Sequence, residues 1–259
     1  MRKIRKKKPH IIEELTLLRE TRKPFEGFTL AFLKNISEHC NLMHSLLSNE
    51  PDKKDLFKIA YRQYFVFLVS CWETYFRDVF VYVHSRDNKL TNSLLEKMAV
   101  NASSYDSSDI TLPELLSKSF NFQNLNDLEE AYNGLWGDNF LQKVCSLDFA
   151  PCGFNGKIAT KMITNNLIPD WRIILEDAFK IRHRVVHDAN FRPQIDINLV
   201  RKAEAIFLLI PQLSSIMITT KLDLSYTLIS KNESKFPYIF SIHDILAKDW
   251  VIAENKTTP

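Results

Sequence analysis

Glycine is scarce in this chain, with five residues in 259, about 2% against roughly 7% in an average protein. Four of the five lie between Gly134 and Gly156. Neither a GxGxxG nor a GxxxxGK[ST] stretch occurs, which argues against the two common glycine-rich nucleotide-binding loops. The same scarcity, with 12% aromatic residues, favours long helices over a fold rich in tight turns.

Paired cysteines and long apolar runs are missing as well. The four cysteines form no CxxC pair, which is typical of buried thiols in a reducing cytosol. The best candidate for a membrane span, residues 205–220, is sixteen residues long and includes Pro211 and Gln212, so it is too short and too polar to cross ~30 Å of hydrocarbon. We therefore expect a cytoplasmic protein without a membrane partner.

Positive charge is concentrated at the N-terminus. The net charge is +3, but residues 2–8 alone carry six basic side chains, and the remainder has 28 basic against 31 acidic residues. Since no apolar run follows, a signal peptide is not indicated. The segment is either a mobile RNA-binding or anion-binding arm or a solvated tail. The residues of this arm are Arg2, Lys3, Arg5, Lys6, Lys7 and Lys8.

Hydrophobic periodicity predicts an all-α fold. Apolar residues recur at three- and four-residue steps over residues 27–47, 55–86, 170–186 and 196–220, the spacing of one helix face. Residues 55–86 contain neither glycine nor proline and should form a spine helix of roughly 48 Å. Trp72 and Tyr75 belong to its apolar stripe and are interpreted as core.

The remaining segments suggest three regions. Residues 1–24 form a basic arm and a short helix, residues 25–220 a helical bundle domain, and residues 221–259 a C-terminal appendage. Within the middle of the domain, Thr111 and Glu114 have the spacing of a capping box. Residues 225–230 and 237–242 are β-branched and aromatic, and we expect them to pair as a small hairpin.

One heptapeptide, residues 182–188, concentrates chemistry near a predicted helix end. It reads Arg182-His183-Arg184-Val185-Val186-His187-Asp188. Three interpretations remain open: a solvated basic helix terminus placed favourably against the helix dipole, a metal site, and an RNA-cleaving pair of one histidine and one arginine. His183 and His187 are at i, i+4, but two such ligands are too few for a catalytic zinc, and no second HxxxH pattern exists. We expect neither metal nor cofactor.

The spacing of Arg182 and His187 limits how they can cooperate. Five residues on a regular helix correspond to about 140° of rotation and 7.5 Å of rise, so the two side chains do not share a face. They can converge on one ligand if the helix ends or distorts near His187, or if two copies of the chain meet.

Here the sequence resembles a known family. Residues 182–187 are similar to the R-x4–6-H motif of HEPN-domain ribonucleases, in its four-residue-spacer form. Residues 70–78, with Trp72-Glu73-Thr74-Tyr75, resemble the W-E-x-Y signature of RiboL-PSP and abortive-infection HEPN proteins. Residues 119–125 and 135–138 resemble their middle segment. The likeness covers roughly residues 25–220.

The resemblance implies a helical bundle that dimerises with the two motifs facing each other, and metal-independent RNA cleavage in the shared cleft. It implies catalytic roles for Arg182 and His187 and a toxin or phage-defence role, with an antitoxin or sensor as a further partner. The alternative is a catalytically silent RNA- or protein-binding module.

Other polar residues near these motifs have two interpretations each. Glu73 and Arg77 form either a surface ion pair or a support that orients Arg182 or His187. Asp188 either holds His187 or accepts helix-end hydrogen bonds, and His183 is a further supporting residue. Arg184 is interpreted as a phosphate-binding or solvent-exposed arginine, and Lys180 and the basic arm as RNA-binding.

Overall fold

The structure is a computed structural model that describes residues 13, 17, 25–49, 53–98, 110–151, 162–188, 190–223, 238–240 and 242. The basic arm at residues 2–8 lies outside the described residues. The fold is all-α. Its elements, in chain order, are α1 (Phe25–Asn49), α2 (Lys54–Arg86), α3 (Asn88–Lys97), α4 (Leu112–Ser117), α5 (Leu125–Trp136), α6 (Phe140–Cys145), β1 (Ala150–Pro151), α7 (Thr164–Leu167), α8 (Trp171–His187), α9 (Ile197–Lys221) and β2 (Tyr238–Ile239).

Helix α2 is the predicted spine. It runs for 33 residues, about 50 Å, and ends one residue before Asp87, whose carboxylate caps α3. The whole apolar stripe expected from the sequence is buried, and Trp72, Phe65 and Phe76 are fully enclosed. The absence of glycine and proline from residues 55–86 allows the helix to run without interruption along this buried face.

The chain divides into two compact units, and the boundary falls within α2 after Trp72. The proposed division into residues 1–24, 25–220 and 221–259 stays a prediction. The first unit comprises residues 1–28 and 73–140. Its described core is aromatic: Tyr132 donates a 2.6 Å hydrogen bond to the carbonyl of Phe76 and packs edge-on against the same residue. The predicted capping box is present at α4, where the Glu114 carboxylate accepts from the Thr111 amide.

The second unit comprises residues 29–72 and 141–259, and α8 packs against α9 within it. The Trp72 ring lies edge-on to Phe179 at 5.9 Å and to Phe207 at 5.4 Å. Contacts of this kind, which join α2, α8 and α9, add about 0.5–1.5 kcal/mol each to the burial of the rings. This packing fixes the position of α8, which carries the heptapeptide.

The expected hairpin stays a prediction, and its second segment pairs with a distant part of the chain. Tyr238–Ile239 pairs in parallel with Ala150–Pro151, in the register Ala150 to Tyr238, and Gln212 accepts from the amide of Phe240. The described part of residues 237–242 thus pairs with residues 150–151 on one edge, which leaves its pairing with residues 225–230 untested. Residues 225–230, its other half, lie outside the described residues.

Among the described residues, one helix, α9, is long and apolar enough by length and composition to cross a membrane, with 72% of its apolar window buried in the protein. It is longer than the sixteen-residue stretch identified from the sequence, because its first two turns are also helical.

Candidate functional site

The heptapeptide occupies the end of α8. The helix continues through His187, and Asp188 leaves it with φ −132° and ψ 99°. The helix therefore does not end between Arg182 and His187, and their backbone positions keep the angular separation of a regular helix. His183, Arg184, His187 and Asp188 are exposed, and Arg182 is half-buried.

Arg182 is an incompletely satisfied group. Its Nε atom is buried and has no hydrogen-bond partner among the described residues. A buried donor without an acceptor costs about 1–3 kcal/mol, and native proteins contain few of them. An arginine held in this way is better suited to a ligand or partner than to stabilising the chain.

The two histidines of the motif are neighbours. The rings of His183 and His187 lie 4.6 Å apart with an interplanar angle of 53°, as the i, i+4 spacing requires. Within the described part of the chain, His187 makes no hydrogen bond, and the residue is exposed. Its last-turn position also places a protonated imidazole favourably against the helix dipole.

A turn follows α8 and brings Phe191 back toward the helix. The Phe191 amide donates to the carbonyl of Asp188 at 3.1 Å, and the Asp188 carboxylate accepts from the amide of Asn190 at 2.9 Å. The guanidinium of Arg184 stacks 3.8 Å from the centre of the Phe191 ring. Asp188 thus braces the turn.

Two arginines that the sequence did not single out also contact Phe191. Arg62 on α2 and Arg192 each donate to the Phe191 carbonyl oxygen at 3.1 Å. Two features of the sequence could have indicated this contact. An aromatic residue stands in the polar loop directly after the motif, and an arginine stands within the apolar stripe of α2. Lys180, exposed two residues before the motif, pairs with Asp177 at 3.2 Å.

Glu73 and Arg77 belong to the first unit, whereas Arg182 and His187 belong to the second. Arg77 donates to one oxygen of the Glu73 carboxylate and Gln123 to the other. The guanidinium of Arg77 also lies 5.9 Å from the centre of the Phe122 ring. Both residues are mostly buried, so the pair is more enclosed than a surface ion pair.

A second polar cluster lies inside the second unit. Glu204 on α9 is 3% exposed; Tyr64 donates to its carboxylate, and His44 on α1 lies 3.1 Å from it. This contact raises the pKa of His44, and burial raises the pKa of Tyr64. Cys40 lies 2.9 Å from the Tyr64 hydroxyl, and burial likewise raises its pKa. His44 and Glu204 line a cavity of about 190 Å³.

Metal ligation finds no support in the residues that the structure describes: no three histidine, cysteine, aspartate or glutamate side chains among them are grouped to hold an ion. Cys40, Cys71 and Cys145 are buried free thiols, and burial raises the pKa of Cys71 to about 12. The thiol of Cys71 is therefore protonated and unreactive at neutral pH.

The fold is all-α, and the heptapeptide lies at the end of α8. The sequence model of the RiboL-PSP-HEPN family matches residues 33–212, and the chain belongs to that family. The matched region contains the spine helix, the W-E-x-Y segment and the whole of α8. Searches of curated proteins and of solved structures found no match.

Proposed function

We propose that this protein is a metal-independent endoribonuclease in which Arg182 and His187 carry out the chemistry. HEPN domains are generally ribonucleases or RNA-binding domains. The proposal rests on the hydrogen-bonding groups of Arg182 and His187 that have no partner. The Arg182 Nε lacks an acceptor, and His187 lacks a hydrogen-bond partner, among the described residues.

The chemistry follows from the two side chains. Without a metal, the 2′-hydroxyl of the ribose attacks the adjacent phosphorus, and the 5′-oxygen of the next nucleotide leaves. His187 takes the proton of the 2′-hydroxyl or returns one to the leaving oxygen, because the ordinary pKa of histidine lies near neutral pH. Arg182 offers forked donors to the phosphate oxygens, on which negative charge grows. The products are a 2′,3′-cyclic phosphate and a 5′-hydroxyl.

One chain supplies a single pair of Arg182 and His187. Since α8 stays helical through His187, one chain does not bring Arg182 and His187 onto one face. A twofold dimer with the two helix ends facing each other would place two copies of each residue around one phosphate. The exposed Val186, with 48% of its surface accessible, supports an interface here.

Other residues have secondary roles in this proposal. Arg184, Lys180 and the basic arm bind RNA phosphates. His183 holds the ring of His187 in place. Asp188 is a positioning residue that acts through the turn after α8.

The biological role proposed is that of a cytoplasmic toxin or phage-defence effector, controlled by an antitoxin or sensor partner. The alternative function is a catalytically silent module that binds RNA or protein. The intact Arg182 and His187 favour the enzyme, because a silent module has no chemical need for either side chain.

The test is to incubate purified protein with RNA in excess EDTA and to analyse the product ends. Cyclic phosphate and 5′-hydroxyl ends are expected, and a substrate with a 2′-deoxy nucleotide at the cut site should stay intact. Cleavage that stops on chelation and returns with zinc or magnesium would contradict the metal-independent mechanism, and RNA binding without cleavage would favour the silent module.

A further inference from the structure

We infer that Arg62 and Arg184, both held on Phe191, form a second phosphate-binding site that fixes the RNA backbone next to the nucleotide being cut. The inference rests on the proposed function, because it takes the bound anion to be a phosphate of the RNA substrate. It adds to that function a residue from another helix, Arg62, which no motif marks.

The two guanidinium groups meet at one residue from two helices. Arg62 lies on α2 and donates to the Phe191 carbonyl oxygen, and Arg184 lies on the last turn of α8 and stacks on the Phe191 ring. Arg192 donates to the same carbonyl oxygen as Arg62. Positive charge is therefore concentrated within the dimensions of a single side chain, four residues after His187.

Neither of the two arginines has a counter-ion in the described part of the chain. No ion pair there involves Arg62 or Arg184, whereas Arg172, also on α8, faces Glu176 at 3.6 Å. Like charges that share a small region repel each other, so this arrangement is more stable with an anion bound.

Most hydrogen-bond donors of Arg62 and Arg184 are unused, which also favours a bound anion. A guanidinium has five N–H groups. Among the described residues, Arg184 donates none of its five and Arg62 donates one. A planar group that stacks through its face keeps its edge available, and the edge is what binds a phosphate by two parallel hydrogen bonds.

The turn after α8 gives the site its position. Asp188 accepts from the amides of Asn190 and Phe191 and so holds Phe191 close to the end of α8. Because Arg184 is one turn before His187, a strand that lies across the two residues would place neighbouring phosphates at each. The site would thus set which phosphate reaches His187, in addition to adding affinity.

The test measures binding of a mixed-sequence, single-stranded RNA that carries 2′-O-methyl groups, which cannot be cleaved, at several salt concentrations. Arg62→Gln and Arg184→Gln should each weaken binding about tenfold and lower the slope of log affinity against log salt by about 0.7. Arg172→Gln is the matched control and should leave the slope unchanged. Phe191→Leu, which removes the ring under Arg184, should weaken binding while every charge is kept.

Arg62→Gln also removes a hydrogen bond to the Phe191 carbonyl, so its melting temperature is measured alongside. Arg184 is exposed, and Arg184→Gln keeps the test decisive if Arg62→Gln unfolds. An unchanged salt slope in folded Arg184→Gln, or an equal loss in Arg172→Gln, would overturn the inference. The inference would also be overturned if the two arginine variants bound duplex DNA more weakly than wild type but bound the RNA equally well. Because this RNA cannot be cut, the result stands apart from the endoribonuclease proposal, which fails instead if wild-type protein never cuts ordinary RNA.

Discussion

Acid should destabilise the protein through His84, a histidine of α2 whose side chain is 2% exposed. Its Nδ1 lies 3.2 Å from the Thr91 hydroxyl, and its ring packs 4.2 Å from that of Phe80. Burial lowers the pKa of His84 from 6.5 to about 4, although a hydrogen bond to the backbone of Ala131 opposes this shift. The imidazole is therefore neutral in the folded protein throughout the range in which it becomes protonated in the unfolded chain.

The sign and size of the effect follow from this difference. Because the folded-state pKa of His84 is depressed, its contribution to stability is present above pH 6.5 and is lost as pH falls toward about 4. From about pH 7 to about pH 4.5, linkage gives a loss of about 2 kcal/mol from this residue alone. Carboxylates lose their interactions over part of the same range, so the residue must be isolated by comparison with a variant.

The assay is urea denaturation of wild type and His84→Gln at both pH values. The variant should be less stable than wild type at neutral pH, and the difference should shrink by about 2 kcal/mol at the lower pH. Leu128→Ala, a fully buried change in the same unit without a titratable group, is the control, and its difference should be the same at both pH values. A His84→Gln difference that does not change with pH would refute the assignment of a neutral buried imidazole.

Three further outcomes are expected. The contact with Glu204 raises the pKa of His44, so its stabilising effect is complete below pH 6.5 and is lost as pH rises through the raised pKa; His44→Gln should remove this dependence in thermal melts, and a variant that keeps it would contradict the assignment. Val186→Glu should give monomers by analytical ultracentrifugation and reduce cleavage, whereas the same change at Leu42, 68% exposed on α1, should give dimers; a dimeric, active Val186→Glu would move the interface elsewhere. Deletion of residues 2–8 should flatten the salt dependence of RNA binding, by about 0.7 in slope per lost phosphate contact, and leave the single-turnover rate at saturating RNA unchanged, while a collapse of that rate would place the arm in the active site.

Local patterns were sufficient to predict most of the helices. The apolar stripe of α2, the capping residues Thr111 and Glu114 and the ends of α8 and α9 depend on neighbours within one or two turns, which a sequence displays directly. On α8, Val186 continues the apolar pattern but is 48% exposed, because a period alone does not show which turns of a helix are covered by other helices.

Contacts between distant segments could not be predicted. His44, Tyr64 and Glu204 come from three helices, and nothing in their local sequence indicates that they share one buried cluster. The same holds for the contact of Arg62 with Phe191, which joins residues 129 apart, and for the parallel pairing of Tyr238–Ile239 with Ala150–Pro151. The sequence predicted the residues of the motif itself. The residues that surround the motif in space could be identified only from the structure.

Single-turnover cleavage of RNA by wild type, Arg182→Ala and His187→Ala in excess EDTA tests the central claim most directly. Both side chains lie near a helix end, where truncation leaves the core intact, so both variants should fold and melt like wild type. The account predicts that wild type cuts and that each variant is slower by at least ~100-fold, the usual contribution of a general acid–base residue. Cleavage at the wild-type rate by either folded variant would contradict it.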